Sequence, residues 1–238
     1  MKLKLSFFCF LFFFLHNLQA QELVFPPKIN LFQYSRPVSQ SLYGFPEARI
    51  WGWSNNGKIA YSIETEVDGR GGQKIDFVIL DLVTDKTLYE LKMDSFDHGE
   101  DNGVTGEALY GLYRTVIINA LNTHNIIRGA AAFLPFPLVK NNTTYNAQIA
   151  NIDYKSDEYG FFDRVVSKYN VTVAANGKTK TIGIFLPVRG VTGRVYMCGY
   201  FLSPFENRVM AAAAEEAWGF EGTELIYRFA GCHLGVGF

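Results

Sequence analysis

Residues 165–188 read VVSKYNVTVAANGKTKTIGIFLPV, and the Asn176-Gly177 pair in their middle decides how the rest of the chain is read. Asn-Gly favours a two-residue type I′ turn, whose twist matches that of the strands it joins. Such a turn sets Ala175 opposite Lys178. Further out it sets Val171 opposite Ile182, Tyr169 opposite Ile184, Ser167 opposite Leu186 and Val165 opposite Val188. Away from the turn that face is almost wholly apolar, while the other carries Lys168, Asn170, Thr172 and Thr181. A slip of one residue would exchange the two faces, so the pairing is well specified.

Strand signals continue on both sides. Ile59–Ile63 reads as a strand, and Asp68–Gly72 as a glycine-rich turn. The largely apolar run from Asp76 to Leu82 suggests burial on both faces. Asp85-Lys86 is a tight turn, and Thr87–Leu91 returns. Between the strand-rich parts the period changes. Leu109, Leu112, Tyr113, Val116, Ile117, Ala120 and Leu121 fall on one helical face. Thr105 is a fair N-cap, with Glu107 in the first turn where the helix dipole favours an anion. These spacings predict one helix over 106–122 lying on a sheet. The fold expected is α+β: mostly antiparallel strands, blade-like meanders and a hairpin, with one main helix.

The N-terminus gives an address. Lys2 and Lys4 precede an apolar run from Leu5 to Leu15, and Leu18-Gln19-Ala20 follows a polar step. That order is a secretory signal. The run is shorter than the ~20 apolar residues needed to span a bilayer. Cleavage is expected after Ala20, leaving a single β-rich extracytoplasmic domain over 21–238. Cys9 lies inside the apolar run behind Phe7-Phe8, where a lipid-attachment site would have small residues. No transmembrane helix is expected after cleavage. A net charge of −1 gives no basic footprint for nucleic acid.

Cys198 and Cys232 remain after cleavage. A meander between them puts them on its first and third strands, roughly 10 Å apart at the usual inter-strand spacing. A disulfide needs Cα atoms within about 7 Å. Two buried thiols are expected.

A weak internal repeat is visible. Trp53-Ser54-Asn55-Asn56-Gly57-Lys58-Ile59-Ala60 compares with Leu202-Ser203-Pro204-Phe205-Glu206-Asn207-Arg208-Val209-Met210-Ala211. Each runs from an apolar residue through Ser, a turn and a basic residue into a strand. Each later meets a glycine loop, Asp68–Gly72 or Gly219–Gly222, and another apolar strand. The unit is ~40 residues, the size of a propeller blade. The phrase resembles blades of β-propeller proteins of the periplasmic TolB type. A closed propeller needs at least four blades. Only two such units are found, near 50–91 and 195–234, so a propeller is not expected. The whole order is similar to a family of predicted secreted bacterial proteins of unknown function. There a first blade-like unit, a central helix, a hairpin and a closing unit follow one another. This chain lacks that family's Asp-Gly turns at both places. The resemblance implies no activity, and no functional residue carries over from it.

No catalytic, cofactor-binding or metal-binding residue is assigned. The acidic stretch Asp94–Asn102 offers oxygen ligands of the kind Ca²⁺ takes, without EF-hand spacing. It is read as a solvated loop. His98, His124 and His233 are scattered, without zinc-site spacing. Ser54 and Ser203 are turn residues outside G-x-S-x-G. Arg70-Gly71-Gly72 and Gly190–Arg194 are not placed as phosphate loops. Trp51, Trp53 and Trp218 are read as β core rather than an exposed carbohydrate or protein platform.

The function expected is non-enzymatic: binding or scaffolding in the cell envelope, with an unknown protein or envelope partner. One alternative is an outer-membrane β-barrel, because Ala230, Cys232, Leu234 and Val236 alternate towards a terminal Phe238. Another is a hydrolase with a site gathered from loops carrying His98, Asp97 or Glu221.

Overall fold

A computed structural model describes residues 23–35, 45–67, 72–98, 104–129, 131–187, 191–219 and 222–238. The export segment Lys2–Ala20 with Cys9, most of the Asp68–Gly72 turn, the end of the acidic stretch, Gly190 and Glu221 lie outside them.

The first sheet is a meander of β1 (Ile29–Asn30), β2 (Glu47–Trp53), β3 (Lys58–Val67), β4 (Gly72–Asp81) and β5 (Lys86–Asp94), in that order. A 3₁₀ turn over Ser95–His98 leads to helices α1 (Gly106–Leu112) and α2 (Arg114–Thr123). Two short strands follow. β6 (Ile127–Arg128) pairs with the end of β2, and β7 (Phe133–Leu134) pairs with the later β12 (Thr192–Leu202). Before β12 come β8 (Leu138–Lys140), β9 (Thr143–Lys155), β10 (Val165–Ala175) and β11 (Lys178–Phe185), which form a second sheet in the order β11-β10-β9-β8. Then β13 (Arg208–Trp218) and β14 (Thr223–His233) complete a third sheet, β14-β13-β12-β7.

The third sheet is the centre of the molecule, because its residues alternate between two cores. Met210, Ala212 and Ala214 of β13 pack with Ile50, Trp53, Ile59 and Val78 of the first sheet. Val209, Ala211 and Ala213 pack with Tyr169, Val171, Val173 and Ile182 of the second. A third core lies on the far side of the first sheet, where Leu109, Tyr110, Ile117 and Leu121 of the helices cover Trp51, Ile75, Phe77 and Ile79. The layers therefore run helices, first sheet, central sheet, second sheet. Burial of β4 on both faces, expected from its continuous apolar run, follows from this order: Phe77 and Ile79 face the helices, Val78 and Leu80 the central sheet.

The α+β expectation is overturned. Of the described residues 57% are strand and 11% helical, with only two short α-helices among them, so this is a mainly antiparallel β protein. The helical segment breaks at Tyr113 (φ −96°, ψ 9°), two residues after Gly111, a poor helix former. The break turns the expected face. Leu112 and Val116, predicted inward, are 59% and 43% exposed, and Tyr110 is fully buried instead. The N-cap is as expected: Thr105 Oγ1 accepts the N–H of Ala108 at 3.4 Å. Among the described residues no helix is long and apolar enough to cross a membrane.

The hairpin turn is as expected and its register is not. Asn176 and Gly177 have φ of 53° and 73°, and Ala175 pairs with Lys178. A bulge then shifts the pairing, so Val171 faces Gly183 and Tyr169 faces Phe185. Bulges re-aim side chains. Here Ile182 and Phe185 enter the core while Ile184 and Leu186 are 62% and 68% exposed. Val188 lies outside the described residues. Among the described residues the strands form three separate sheets. The alternation read as a closing barrel strand leaves β14 after His233, and Phe238 rests edge-on against Tyr145 at 5.3 Å.

Candidate functional site

The two turns of the internal repeat share their geometry. Ser54 Oγ accepts the N–H of Lys58 at 2.9 Å, and its own N–H donates to the Lys58 carbonyl at 2.9 Å. Ser203 Oγ accepts from Phe205 and Glu206 at 3.3 and 3.2 Å, and its N–H donates to the Arg208 carbonyl at 2.9 Å. Both hydroxyls are consumed by turn formation. The likeness extends to the strands before the turns. β2 and β12 each bulge at a glycine with positive φ, Gly52 (151°) and Gly199 (156°). At each, a Cβ would strike the carbonyl oxygen of an added strand: Ile127 at 2.1 Å and Leu134 at 2.5 Å.

The other candidates are dispersed. In the acidic stretch Asp94 Oδ1 accepts the Phe96 N–H at 3.0 Å and Oδ2 faces Lys74 at 3.5 Å. Nearby, His98 Nε2 lies 3.0 Å from the Tyr113 hydroxyl. Among the described residues no group of three His, Cys, Asp or Glu could hold a metal. His124 caps α2 and His233 ends β14, both far from His98 in sequence and on other elements. Cys198 and Cys232 are free and buried, as expected, and they face different cores. Burial pushes their thiols up to about 12 and about 11. Trp51 and Trp53 are core residues, but Trp218 is only half-buried.

Buried charges are spent on holding layers together. Under α1, Glu64 accepts from Arg49 and from the Tyr110 hydroxyl (3.0 Å), and Lys28 reaches it at 3.0 Å. Ser62 links Tyr110 at 2.6 Å to the indole N–H of Trp51 at 3.0 Å. On β13, Glu215 is fully buried and accepts from Tyr169 of the second sheet at 3.1 Å and from Arg228 of β14 at 2.8 Å. Its neighbour Glu216 accepts from Tyr196 on the opposite face. A buried carboxylate is tolerated only with such partners.

Where the three sheets meet at one end there is a cleft of about 320 Å³, lined by Leu82, Asp85, Lys180, Arg208, His233 and Val236 among others. Its charged groups hold main chain. Asp85 Oδ1 accepts the Gly231 N–H at 2.8 Å, Arg208 donates to the Leu82 carbonyl at 2.8 Å, and Lys180 donates to that of Val236 at 3.3 Å. Desolvation, with Arg208 and Lys180 nearby, keeps His233 below the ordinary histidine range, and its Nδ1 accepts the Gly235 N–H at 3.1 Å. The cleft is a joint between layers.

A feature that sequence reasoning passed over lies on the β9–β10 connection. Residues 157–163 read DEYGFFD. Asp157 turns the loop on itself: Oδ1 accepts the Tyr159 N–H and Oδ2 the Phe162 N–H, both at 2.9 Å. Gly160 supplies the left-handed step (φ 74°). Phe162 anchors the loop over Gly193, where a Cβ would come within 2.5 Å of its ring. Phe161 instead lies flat on Trp218, with centroids 4.6 Å apart and planes 9° apart. Tyr159 continues the stack at 6.1 Å and 18°. At the loop's base the Arg164 guanidinium sits 3.9 Å from the Tyr154 ring centre. Tyr159 is 69% exposed and Phe161 43%. The available signal was an Asp, a Gly and three aromatic residues within seven positions between two strands.

No family model matches the chain, and no curated protein or solved structure matches it.

Proposed function

We propose that this protein is a non-enzymatic binding or scaffold protein of the cell envelope, and that the loop 156–164 with Trp218 is its contact surface. The observation that carries this reading is the exposed stack of Tyr159, Phe161 and Trp218 on a loop pinned by Asp157. Interfaces draw on aromatic residues because a rigid ring supplies contact area with little ordering entropy. Here the ordering is done before any partner arrives, and preorganisation favours affinity. The address rests on the Lys2–Ala20 segment.

The test is cell fractionation followed by crosslinking from a photoreactive phenylalanine analogue at position 159. A discrete adduct with one envelope component, absent when the probe is moved to Thr179 on β11, is the expected result. Cytoplasmic retention would defeat the address. Absence of any adduct in exported protein would defeat the surface.

A further inference from the structure

The surface has a sign as well as a shape. The loop 156–164 holds three acidic residues, three aromatic residues and one basic residue, Arg164, which lies over Tyr154 at the loop's base. Asp157 is used by the loop's own backbone, whereas Glu158 and Asp163 are exposed and flank the aromatic residues in sequence. Aromatic faces attract cations through the ring quadrupole, and neighbouring carboxylates add to that attraction. The loop already makes one such contact at its base, where Arg164 lies over Tyr154. Phe161 is covered on one side by Trp218, so the open end of the stack is Tyr159.

Resting on the binding reading above, we propose that the occupant of this surface is an arginine- or lysine-bearing segment of a partner protein. One cationic side chain lies on the Tyr159 ring, and Glu158 and Asp163 pair with it or with its basic neighbours. A neutral glycan would use the rings but not the carboxylates, and an anionic partner would be repelled by them. Charge complementarity therefore selects the basic segment.

The experiment is fluorescence anisotropy of an exported, signal-processed protein with a labelled arginine–glycine repeat peptide. The same peptide with citrulline for arginine and a neutral oligosaccharide serve as comparison probes. The arginine peptide is expected to bind saturably and to weaken with salt, as exposed charge pairs do. Tyr159→Ala is expected to weaken binding about fivefold, the scale of an exposed cation–π contact. The double variant Glu158→Gln/Asp163→Asn, which leaves the loop's hydrogen bonds in place, is expected to remove most of the salt dependence. Equal binding of the citrulline peptide overturns the inference, and so does arginine-peptide binding that neither variant changes. Binding of the oligosaccharide in place of the peptide also overturns it, in favour of sugar stacking. A crosslink from position 159 to a partner, with no affinity for the basic peptide, would leave the binding reading standing and remove only the cationic occupant.

Discussion

Glu215 and Glu216 are consecutive residues of β13, both buried, and they face opposite cores: Glu215 takes the hydroxyl of Tyr169 from the second sheet, Glu216 that of Tyr196 on the side of the first. A strand in the middle of three stacked sheets has no solvent side, so a polar residue on it must find its partner in one of the two cores. Glu215 ties the central sheet to the second, whereas Glu216 is satisfied within the central sheet, by Tyr196 of β12.

Glu215 also holds Arg228, so its removal leaves a guanidinium and a phenol without their shared acceptor. Removing one partner of a buried ion pair is far more damaging than replacing both. Glu215→Ala is expected to lower stability by about 3 kcal/mol in urea unfolding. Tyr169→Phe, which removes a single hydrogen bond, is expected to lower it by about 1 kcal/mol.

The alanines of β13 set the spacing of the sheets. Ala211, Ala212, Ala213 and Ala214 are each at most 2% exposed, and interiors are already close-packed. Ala213→Leu is expected to cost about 1–3 kcal/mol through overpacking against the second sheet. Leu186→Ala, at an exposed position, is expected to change stability by less than about 0.5 kcal/mol. Thermal unfolding of the two variants side by side checks this.

The thiols should be silent in the folded protein. The reactive species is the thiolate, and burial holds Cys198 and Cys232 up at about 12 and about 11. At pH 8 a thiol reagent is expected to label neither residue in the native state and both in denaturant. Fast native labelling of Cys198 would mean that the core shared by the first and central sheets opens readily.

Asp157 gives the aromatic loop a pH limit. Desolvation would raise its carboxyl, but the N–H groups of Tyr159 and Phe162 outweigh it and hold the group below its usual value of 3.8. A carboxyl lowered in the folded state contributes order that is present above its unfolded value and is lost as pH falls through the folded one. The loop is therefore expected to stay ordered at neutral pH and to loosen only below about pH 4. Asp157→Ala is expected to loosen it at pH 7, seen as faster tryptic cleavage at Lys155 and Arg164 with the global unfolding midpoint little changed.

Much of the secondary structure was written locally. The Asn176-Gly177 turn, the Thr105 cap and the two Ser turns each depend on residues within a few positions of one another, and each forms where the sequence placed it. The doubly buried β4 was legible for the same reason, since an unbroken apolar run admits no wet face. Seven apolar residues at helical spacing do not reveal that the helix breaks at Tyr113, nor that only 11% of the described residues are helical.

What the sequence determined by itself was the strand-rich character, the positions of the tight turns and the separation of the two thiols, because these follow from backbone preference and strand geometry. Tertiary structure alone decided that β12–β14 lie between the other two sheets, that a bulge sends Ile182 inward and Ile184 out, and that Phe161 meets Trp218. Those outcomes depend on which surfaces, distant along the chain, fit together when buried, and no local pattern of residues encodes that choice.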